Sequence, residues 1–518
     1  MRDRWFAAQR VSTMKSPIIW SIAGTDSGGG AGLAADQRAA DALGVHLAPV
    51  VAAVTAQNTV AVPRIEAVST ALLEAQLDAL AGDLPPRALK TGLLASTAHV
   101  HTVARWADRL GVPLVVDPVL RASTGTAFAD ADILAAYRTE LLPRAALITP
   151  NVAEARALTG LTDASVPELA QALHAAGAQA VCITGGDSGG DQALDWLSTP
   201  HAQGWLALPR LPTPHHHGTG CTFASSAAAA MALGFVAADA CVLAKMATSW
   251  ALRQARAIGQ GAGPVIAQAG FATRPELLPL LSWDAAPPPS APPSAPPRPT
   301  ALGALYGIVD SAQRVRQAIA AGVPTLQLRI KTPVNPEALR TELAQAIATA
   351  RAAGVPLFIN DHWRDALALG AHGVHLGQED VLALAPTDRA ALAASPLELG
   401  LSSHSLWELA RARSLAPAYV ACGPVWPTLT KAMPWQPQGL DNLAWWVQMA
   451  GVPVVAIGGI LTPAQAQAAA ACGPASVCVV RGLGRDMAGP VATFQAAIAA
   501  GRAGAAAPIP TLPHASLG

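Results

Sequence analysis

The 518 residues predict an α/β protein in two parts, a mostly parallel sheet covered by helices and then a (β/α)8 barrel. Three observations predict it. Short β-branched runs alternate with alanine-rich helical stretches along the chain. In the second half the spacing shortens and eight such runs follow one another. Between the halves lies "DAAPPPSAPPSAPPRPT", residues Asp284–Thr300, half of it proline. Proline donates no ladder hydrogen bond and favours an extended spacer. The expected division is therefore a first domain of 15–283, a Pro/Ala-rich linker of 284–300 and a second domain of 301–503.

In the first half, "PIIWSIAG", "PLVVDPVL", "AALITPN" and "AVCITGG" read as strands separated by helices, the grammar of a parallel sheet covered on both faces. The most apolar stretch, Ala227–Ala244, is interrupted by Asp239, flanked by Lys245 and rich in small residues, and reads as one buried helix rather than a membrane span. In the second half, "ALYGIVD", "TLQLRIK", "PLFIND", "GVHLG", "LELGLSSH", "YVACGPV", "PVVAIGG" and "SVCVVRG" supply the eight strands of a TIM barrel. The loops after them carry "QLRIK", "NDH", "GQED", "SSH", "GPVWPTLTK" and "GGI", at the strand ends where such barrels place active sites.

Composition narrows the function. Lys+Arg and Asp+Glu are 34 each and charged residues only 13%, so no broad basic face is offered to nucleic acid. Small-molecule substrates are expected as partners, nucleic acid and membrane are not, and a homo-oligomer is compatible. Hydrophobic residues reach 52%, much of it alanine, a composition of soluble helices. The six cysteines (Cys182, Cys221, Cys241, Cys422, Cys472 and Cys478) form no CxxC pair and no zinc spacing, which suits a reducing compartment, the cytoplasm. "MRDRWFAAQRVSTMK" is basic without an apolar core of signal-peptide length, and Met14 is an alternative start.

Two glycine-rich turns lead into helices in the first half: "TDSGGGAGLAAD", and "HGTGCT" before "FASSAAAAMALGF". Backbone N–H groups at a helix start bind anions. The helix dipole there favours a thiolate at Cys221, which could take a proton from an attacking hydroxyl. Plainer readings exist: Cys221 as a small buried residue, Asn151 and Glu154 of "TPNVAE" as a helix cap, Asp117 opening a turn before Pro118, Gln57 and Asn58 satisfying a strand end, and His215, His216 and His217 solvating a surface.

"IAGTDSGGGAGLAAD", "VTAQNT", "LKTGLL", "VVDPVL", "LITPNVAEA", "HGTGCT" and "GAGP", in that order over about Ser16–Thr273, resemble the hydroxymethylpyrimidine/phosphomethylpyrimidine kinase family of thiamine biosynthesis. The resemblance implies a ribokinase-like fold and phosphorylation of a pyrimidine alcohol and then its monophosphate, with Mg2+ and with ATP as co-substrate. It implies that Gln57 bonds the aminopyrimidine, with Asp36 near the pocket. The amides from Gly218 through Gly220 to Cys221 would form an anion hole, with Cys221 also the base. Asn151 and Glu154 would organise magnesium and the nucleotide phosphates, with Asp117 helping to hold the ion. Thr184 departs from the family, whose members often carry lysine there; Lys245 or Lys90 could substitute.

In the barrel half, Asp361 and Asp380 end consecutive strands on one rim. Two carboxylates there suit a hard cation such as magnesium, or could be caps and turns. Gln327, Arg329 and Lys331 alternate along one strand, so their side chains fall on one side, an expensive arrangement inside a barrel unless an anion is present. Lys431 with Thr428 and Thr430 forms a further polar loop, and "IGGI" and "VVRG" give late glycine turns, the usual place of a phosphate cup.

With "GLSSHS" and "GPVWPTLTK", this set resembles thiamine-phosphate synthase over about Ala304–Met487. The resemblance implies that a pyrimidine diphosphate loses pyrophosphate to give a stabilised carbocation, captured by the nitrogen of a thiazole phosphate. Asp361 and Asp380 would hold magnesium with Asn360 beside them. Gln327, Arg329, Lys331 and Lys431 would grip the pyrophosphate, with Ser402 near the reacting pyrimidine. Thr428 and Thr430 would contact the thiazole, and Gly459 with the amides of Val480 and Arg481 would cup its phosphate. Ile330 stands where glutamate is common, expected to face the helix layer. Arg481 stands where serine is usual, either charging the cup or turning to solvent.

The product implied for the first half is the substrate implied for the second. The chain is thus expected to be a bifunctional enzyme making thiamine phosphate, its linker providing proximity rather than a sealed tunnel. The alternative is a pyridoxal-type kinase fused to a thiazole tautomerase-like or non-catalytic thiamine-binding barrel, against which Asp361, Asp380 and Lys431 argue.

Overall fold

Alternate residues of the first-half strands bury into two separate cores in the computed structural model of the chain, which describes residues 16–121, 128–186, 189–289, 302–331, 335–428 and 434–517. Ile19, Val115, Leu147 and Cys182 pack into one core; Trp20, Ile22, Val116, Ile148 and Ile183 pack into the other. Strand side chains reverse face at each residue, so a sheet apolar on both faces must be covered on both. Helices Thr70–Asp83 and Thr97–Leu110 cover one face, and Thr219–Ala232 and Ala237–Arg253 the other.

Across this sheet the order is Leu280–Leu281, Gln203–Pro209, Gln192–Ser198, Val181–Thr184, Ala145–Ile148, Leu114–Val116, Ala88–Thr91, Ile18–Gly24, His46–Ala56 and Arg64–Ala67. The strands from Val181–Thr184 to His46–Ala56 pair in parallel, as expected. Antiparallel strands, not expected, extend both edges.

The stretch Ala227–Ala244, read from sequence as one helix, is two. Gly234, at φ +95°, ends the first. The N–H of Phe235 reaches back to the Ala230 carbonyl (3.1 Å) and that of Gly234 to Met231 (3.0 Å), a glycine-closed C-terminus. Among the described residues, no helix is long and apolar enough to cross a membrane.

All eight expected barrel strands form, and the barrel closes where Leu305–Val309 pairs with Ser476–Val479. Tyr306, Phe358, Tyr419, Ala421, Val455 and Cys478 fill its interior. The segment after helix Ala488–Ala503 returns along the barrel: the His514 N–H bonds to Asn442 (2.9 Å) and the Gln436 N–H to the Ser516 carbonyl (2.8 Å).

The halves are packed together, where the sequence suggested only a tether. The core beneath Thr219–Ala232 and Ala237–Arg253 is continuous with the barrel's outer layer. Helix Leu406–Arg413 of the barrel is the main bridge: Arg411 donates to the Gln203 carbonyl (2.9 Å) and Arg413 to the Leu278 carbonyl (2.7 Å). Trp445 Nε1 donates to the Ala272 carbonyl (2.7 Å).

Candidate active sites

The first glycine-rich loop is tied by a carboxylate that sequence reading passed over. Asp26 accepts the N–H groups of Gly28 (2.8 Å), Gly30 (3.0 Å) and Ala31 (2.8 Å), and pairs with His217 Nε2 (2.9 Å). Burial works against its charge, but the hydrogen bond with His217 and those from Ala31 and Gly28 hold the carboxyl below its ordinary range. His217 in turn lies 3.4 Å from Gln57 Nε2, so Gln57 and the two glycine loops converge on one place.

Glycine is required where the loops touch. Gly218, at φ +87°, is the N-cap of helix Thr219–Ala232, and an added Cβ would overlap the Gly30 carbonyl oxygen. Gly218→Ala is therefore expected to pry the loops apart and lower the kinase rate by about 10²-fold, as misplacement near 1 Å does. Kinetics of both half-reactions in the full chain check this: the barrel's rate should be unchanged. Beyond Gly218, the N–H groups of Gly220 and Cys221 head the helix, where no earlier turn supplies them a carbonyl.

Beneath that helix Lys90 is wholly buried, 3.0 Å from Asp36 and 3.5 Å from Asp117. Burial disfavours its charge, yet Asp36, Cys221 and Asp117 hold its pKa above the ordinary value. Asp36, expected near the substrate, turns inward: it takes Lys90, Ser21 Oγ (2.6 Å) and Ser225 Oγ (2.8 Å). Burial pushes Asp117 up to about 6, with Lys90 opposing and Asp36 adding. The thiolate expected at Cys221 is not favoured. Burial pushes the thiol up to about 12, with Asp36 and Asp117 adding and Lys90 and the Gly32 N–H opposing, so the helix start does not prevail.

Asn151 and Glu154 form a reciprocal cap on helix Val152–Thr159, each side chain accepting the other's N–H at 2.9 Å. Asn151 bridges to Thr184, and with Asp117 they stand at the C-terminal ends of neighbouring parallel strands, where open α/β sheets bind ligands. The two lysines considered as replacements for a lysine at 184 are both engaged: Lys90 as above, and Lys245 with buried Asp195 (2.7 Å), whose other oxygen takes the Gly185 N–H (3.0 Å).

In the barrel, a chain of hydrogen bonds crosses the rim. Asn360 Oδ1 accepts from Gln327 Nε2 (2.8 Å), and Gln327 Oε1 accepts from Tyr306 OH (3.3 Å). Tyr306 meets Tyr419 OH (2.8 Å), which meets His375 Nδ1 (2.9 Å), and His375 Nε2 meets Ser402 Oγ (3.0 Å). Gln327, Asn360 and Ser402 were expected in the site; Tyr306, His375 and Tyr419 were missed. A histidine in the otherwise apolar "GVHLG" was the available signal. Burial, with His404 and Arg329 adding, lowers His375 to about 4 and keeps it neutral.

Asp361 and Asp380 are electrostatic neighbours on one rim; burial first, and then Asp380, raises the Asp361 pKa, with Lys331 (3.8 Å) opposing. Asp380 also accepts the Gly377 N–H (2.9 Å). Two carboxyls this close repel unless a proton or cation lies between them, so the pair fits a hard cation. Among the described residues no three His, Cys, Asp or Glu side chains are grouped to hold a metal, so a magnesium here would take further oxygens from substrate phosphates. The strand Thr325–Leu328 carries Gln327 but ends before Arg329 and Lys331, so the alternation expected along one strand stops at Leu328 and both cations stand in the loop that follows; Ile330 packs on the outer apolar layer. Gly459 has φ +72° and abuts Trp426; Val480 is partly buried and Arg481 is exposed to solvent. Thr428 is partly exposed, while Thr430 and Lys431 lie outside the described residues.

Comparison with known proteins follows this division. Residues 26–266 match the phosphomethylpyrimidine kinase family and 305–483 the thiamine monophosphate synthase family. The first part is similar to a hydroxymethylpyrimidine/phosphomethylpyrimidine kinase of Synechococcus elongatus, 42% identical over 49% of this chain and 97% of that one. The second is similar to a thiamine-phosphate synthase of Neisseria meningitidis, 48% identical over 34% of this chain and 84% of that one. A probable thiamine biosynthetic bifunctional enzyme, chloroplastic, of Oryza sativa is 34% identical over 88% of this chain and 83% of its own length. The two architectures are the mostly parallel, helix-covered sheet and the closed eight-stranded TIM barrel that the sequence implied. With both halves and their order matched in one relative, the chain belongs to the family of bifunctional thiamine biosynthetic enzymes, a hydroxymethylpyrimidine/phosphomethylpyrimidine kinase joined to a thiamine-phosphate synthase.

Proposed function

We propose how these residues divide the work. In the kinase, Gln57 and His217 orient the aminopyrimidine, and the amides at Gly218–Cys221 face the transferring phosphoryl group. Cys221, once its own thiol proton has been lost to solvent, takes the hydroxyl proton. Asn151, Glu154 and Asp117 serve the magnesium and phosphates of ATP, and buried Lys90 offsets the carboxyl charges of Asp36 and Asp117 beneath the site. What supports this is the convergence of both glycine loops on Asp26, His217 and Gln57 at a helix start, the kind of preformed anion site phosphoryl transfer needs. Asp36 acts through Lys90 and not by touching substrate.

In the synthase, Asp361 and Asp380 would hold magnesium, which when bound neutralises charge on the leaving pyrophosphate. Arg329 and Lys331, with Lys431, take up the rest of that charge. The Gln327–Asn360 pair and the Ser402–His375–Tyr419 chain orient the pyrimidine, Thr428 and Thr430 face the thiazole, and Gly459 with the amides of Val480 and Arg481 cups its phosphate. A neutral His375 can do this without repelling the cation that develops on the ring. The observation that carries the reading is the proximity of Asp361 and Asp380 beside Lys331. The cytoplasm is the proposed compartment, supported by six free thiols.

Phosphorus NMR of the full chain with hydroxymethylpyrimidine, ATP, magnesium and thiazole phosphate tests the whole. Thiamine phosphate and pyrophosphate should accumulate together. Arrest at the pyrimidine monophosphate would show that the first half does not complete both phosphorylations, and Thr184 would be the place to look.

A further inference from the structure

Helix Leu406–Arg413 begins four residues after Ser402, and its first amides are capped from the other half of the molecule. The side chain of its N-cap Ser405 takes the Glu408 N–H (3.3 Å). The N–H groups of Leu406 and Trp407, which a helix cannot satisfy internally, go to the carboxylate of Asp239, at 2.9 Å for Trp407. Asp239 belongs to the kinase helix Ala237–Arg253 and is 1% exposed.

We propose that Asp239, a residue of the kinase half, is a positioning residue for the synthase reaction, holding the Ser402–Ser405 loop in place by anchoring the helix that follows it. The geometry has three parts. First, its carboxylate accepts the Trp407 and Leu406 N–H groups of the barrel, and among the described residues no salt bridge joins it to a cation, so beyond standing in the first turn of its own helix it serves the interface. Burial accordingly pushes it up to about 7, the Trp407 N–H opposing, Glu408 adding and the Leu406 N–H opposing. Second, the loop between Ser402 and the helix is held on its other sides by barrel groups. Gln378 Nε2 donates to the Ser402 carbonyl (2.9 Å), and the His404 carbonyl accepts from Gln438 Nε2 (2.6 Å) and Ser516 Oγ (2.6 Å). Among the described residues, Asp239 is the holder contributed by the kinase half. Third, the chain is short: with Ser402 Oγ 3.0 Å from His375, a shift of the helix start is transmitted to the pyrimidine side of the site within one turn of chain. An isolated synthase would leave these two amides to solvent.

The inference rests on the reading of Ser402 as a pyrimidine-side residue. It is tested in the full chain, with pyrimidine diphosphate supplied so that the kinase step is bypassed. Asp239→Ala is expected to lower kcat/KM for the diphosphate by about 10- to 100-fold, with the KM for thiazole phosphate and the kinase rate unchanged. Asp239→Asn keeps the shape and an acceptor oxygen but loses the charge that favours a helix start, and should fall between Asp239→Ala and wild type. Arg413→Ala cuts a different bond of the same interface, to the Leu278 carbonyl, and should leave the synthase intact. Normal diphosphate kinetics in Asp239→Ala overturn the proposal, as does an equal loss in Arg413→Ala, which would mean that any loosening of the interface suffices. Should Asp239→Ala not fold, normal kinetics in Asp239→Asn overturn it. Ser402→Ala separates the two failures. A normal rate there removes the assignment of Ser402 and the proposal with it, while a slow Ser402→Ala beside a normal Asp239→Ala removes the proposal alone.

Discussion

Replacing Cys221 by alanine is expected to lower phosphorylation of hydroxymethylpyrimidine by about 10²- to 10⁴-fold, the range for a positioned proton acceptor, while condensation of supplied pyrimidine diphosphate is unchanged. The state of the thiol sharpens this. Pushed up to about 12 by burial, with Asp36 and Asp117 adding, Cys221 holds its own proton at neutral pH and must lose it before taking another. If the thiolate is the working form, the wild-type kinase rate rises with pH through the alkaline range, because the group is active only in its deprotonated state. The small rate left in Cys221→Ala should be flat with pH. Alanine keeps the backbone N–H at 221, so an anion-hole role alone would survive the substitution. Initial rates of ATP consumption from about pH 6 to pH 9 decide the matter; a Cys221→Ala enzyme with nearly full activity sinks the proton-transfer role and leaves the amides as the contribution of this residue.

The parts of the molecule that could be read from the chain are those where local pattern and final placement coincide. Each barrel strand is a short apolar run whose polar rim loop follows directly, so strand count, closure and the meeting of Asp361 with Asp380 all follow from order along the chain. The glycine loops declare themselves because glycine at 32 and 218 is demanded by backbone contact rather than by side-chain chemistry. What escaped depends on partners distant in sequence. Gln192–Ser198 and Gln203–Pro209 mix polar with apolar residues at a sheet edge and carry no strong strand signal. Tyr306, His375 and Tyr419 sit within strands, where a large side chain reads as core until the direction of its polar atom is known. Asp239 looked like a mere interruption in an apolar run, and Arg411 carried no signal of its own; only the docking of the two halves makes them buried. The Cys221 thiol was misjudged for a related reason. A helix start is visible in sequence, but the low-dielectric surroundings and the two carboxylates that outweigh it are not.

Asp361→Asn is expected to lower thiamine phosphate formation by about 10²- to 10³-fold, the usual effect of losing one group that stabilises developing charge, with kinase activity unchanged. The position suits this substitution. Asp361 has φ +67°, a left-handed conformation that asparagine accepts about as readily as aspartate, so the loop keeps its course while the charge goes. Asp380 is the less clean target, because its carboxylate also caps Gly377. Without magnesium, Asp361 and Asp380 face each other with Lys331, at 3.8 Å and more than half exposed, and His362 to offset them. Removing one charge relieves that repulsion, so the variant should unfold at a temperature equal to or above that of wild type while losing its activity. That pairing separates a site built for a ligand from one built for stability, since a structural carboxylate would lose both together. Pyrophosphate release measured against magnesium concentration completes the test: Asp361→Asn should need more magnesium and reach a lower plateau. If it matches wild type at every concentration, the two carboxylates are only a cap and a turn, and the cation must be held elsewhere on the rim.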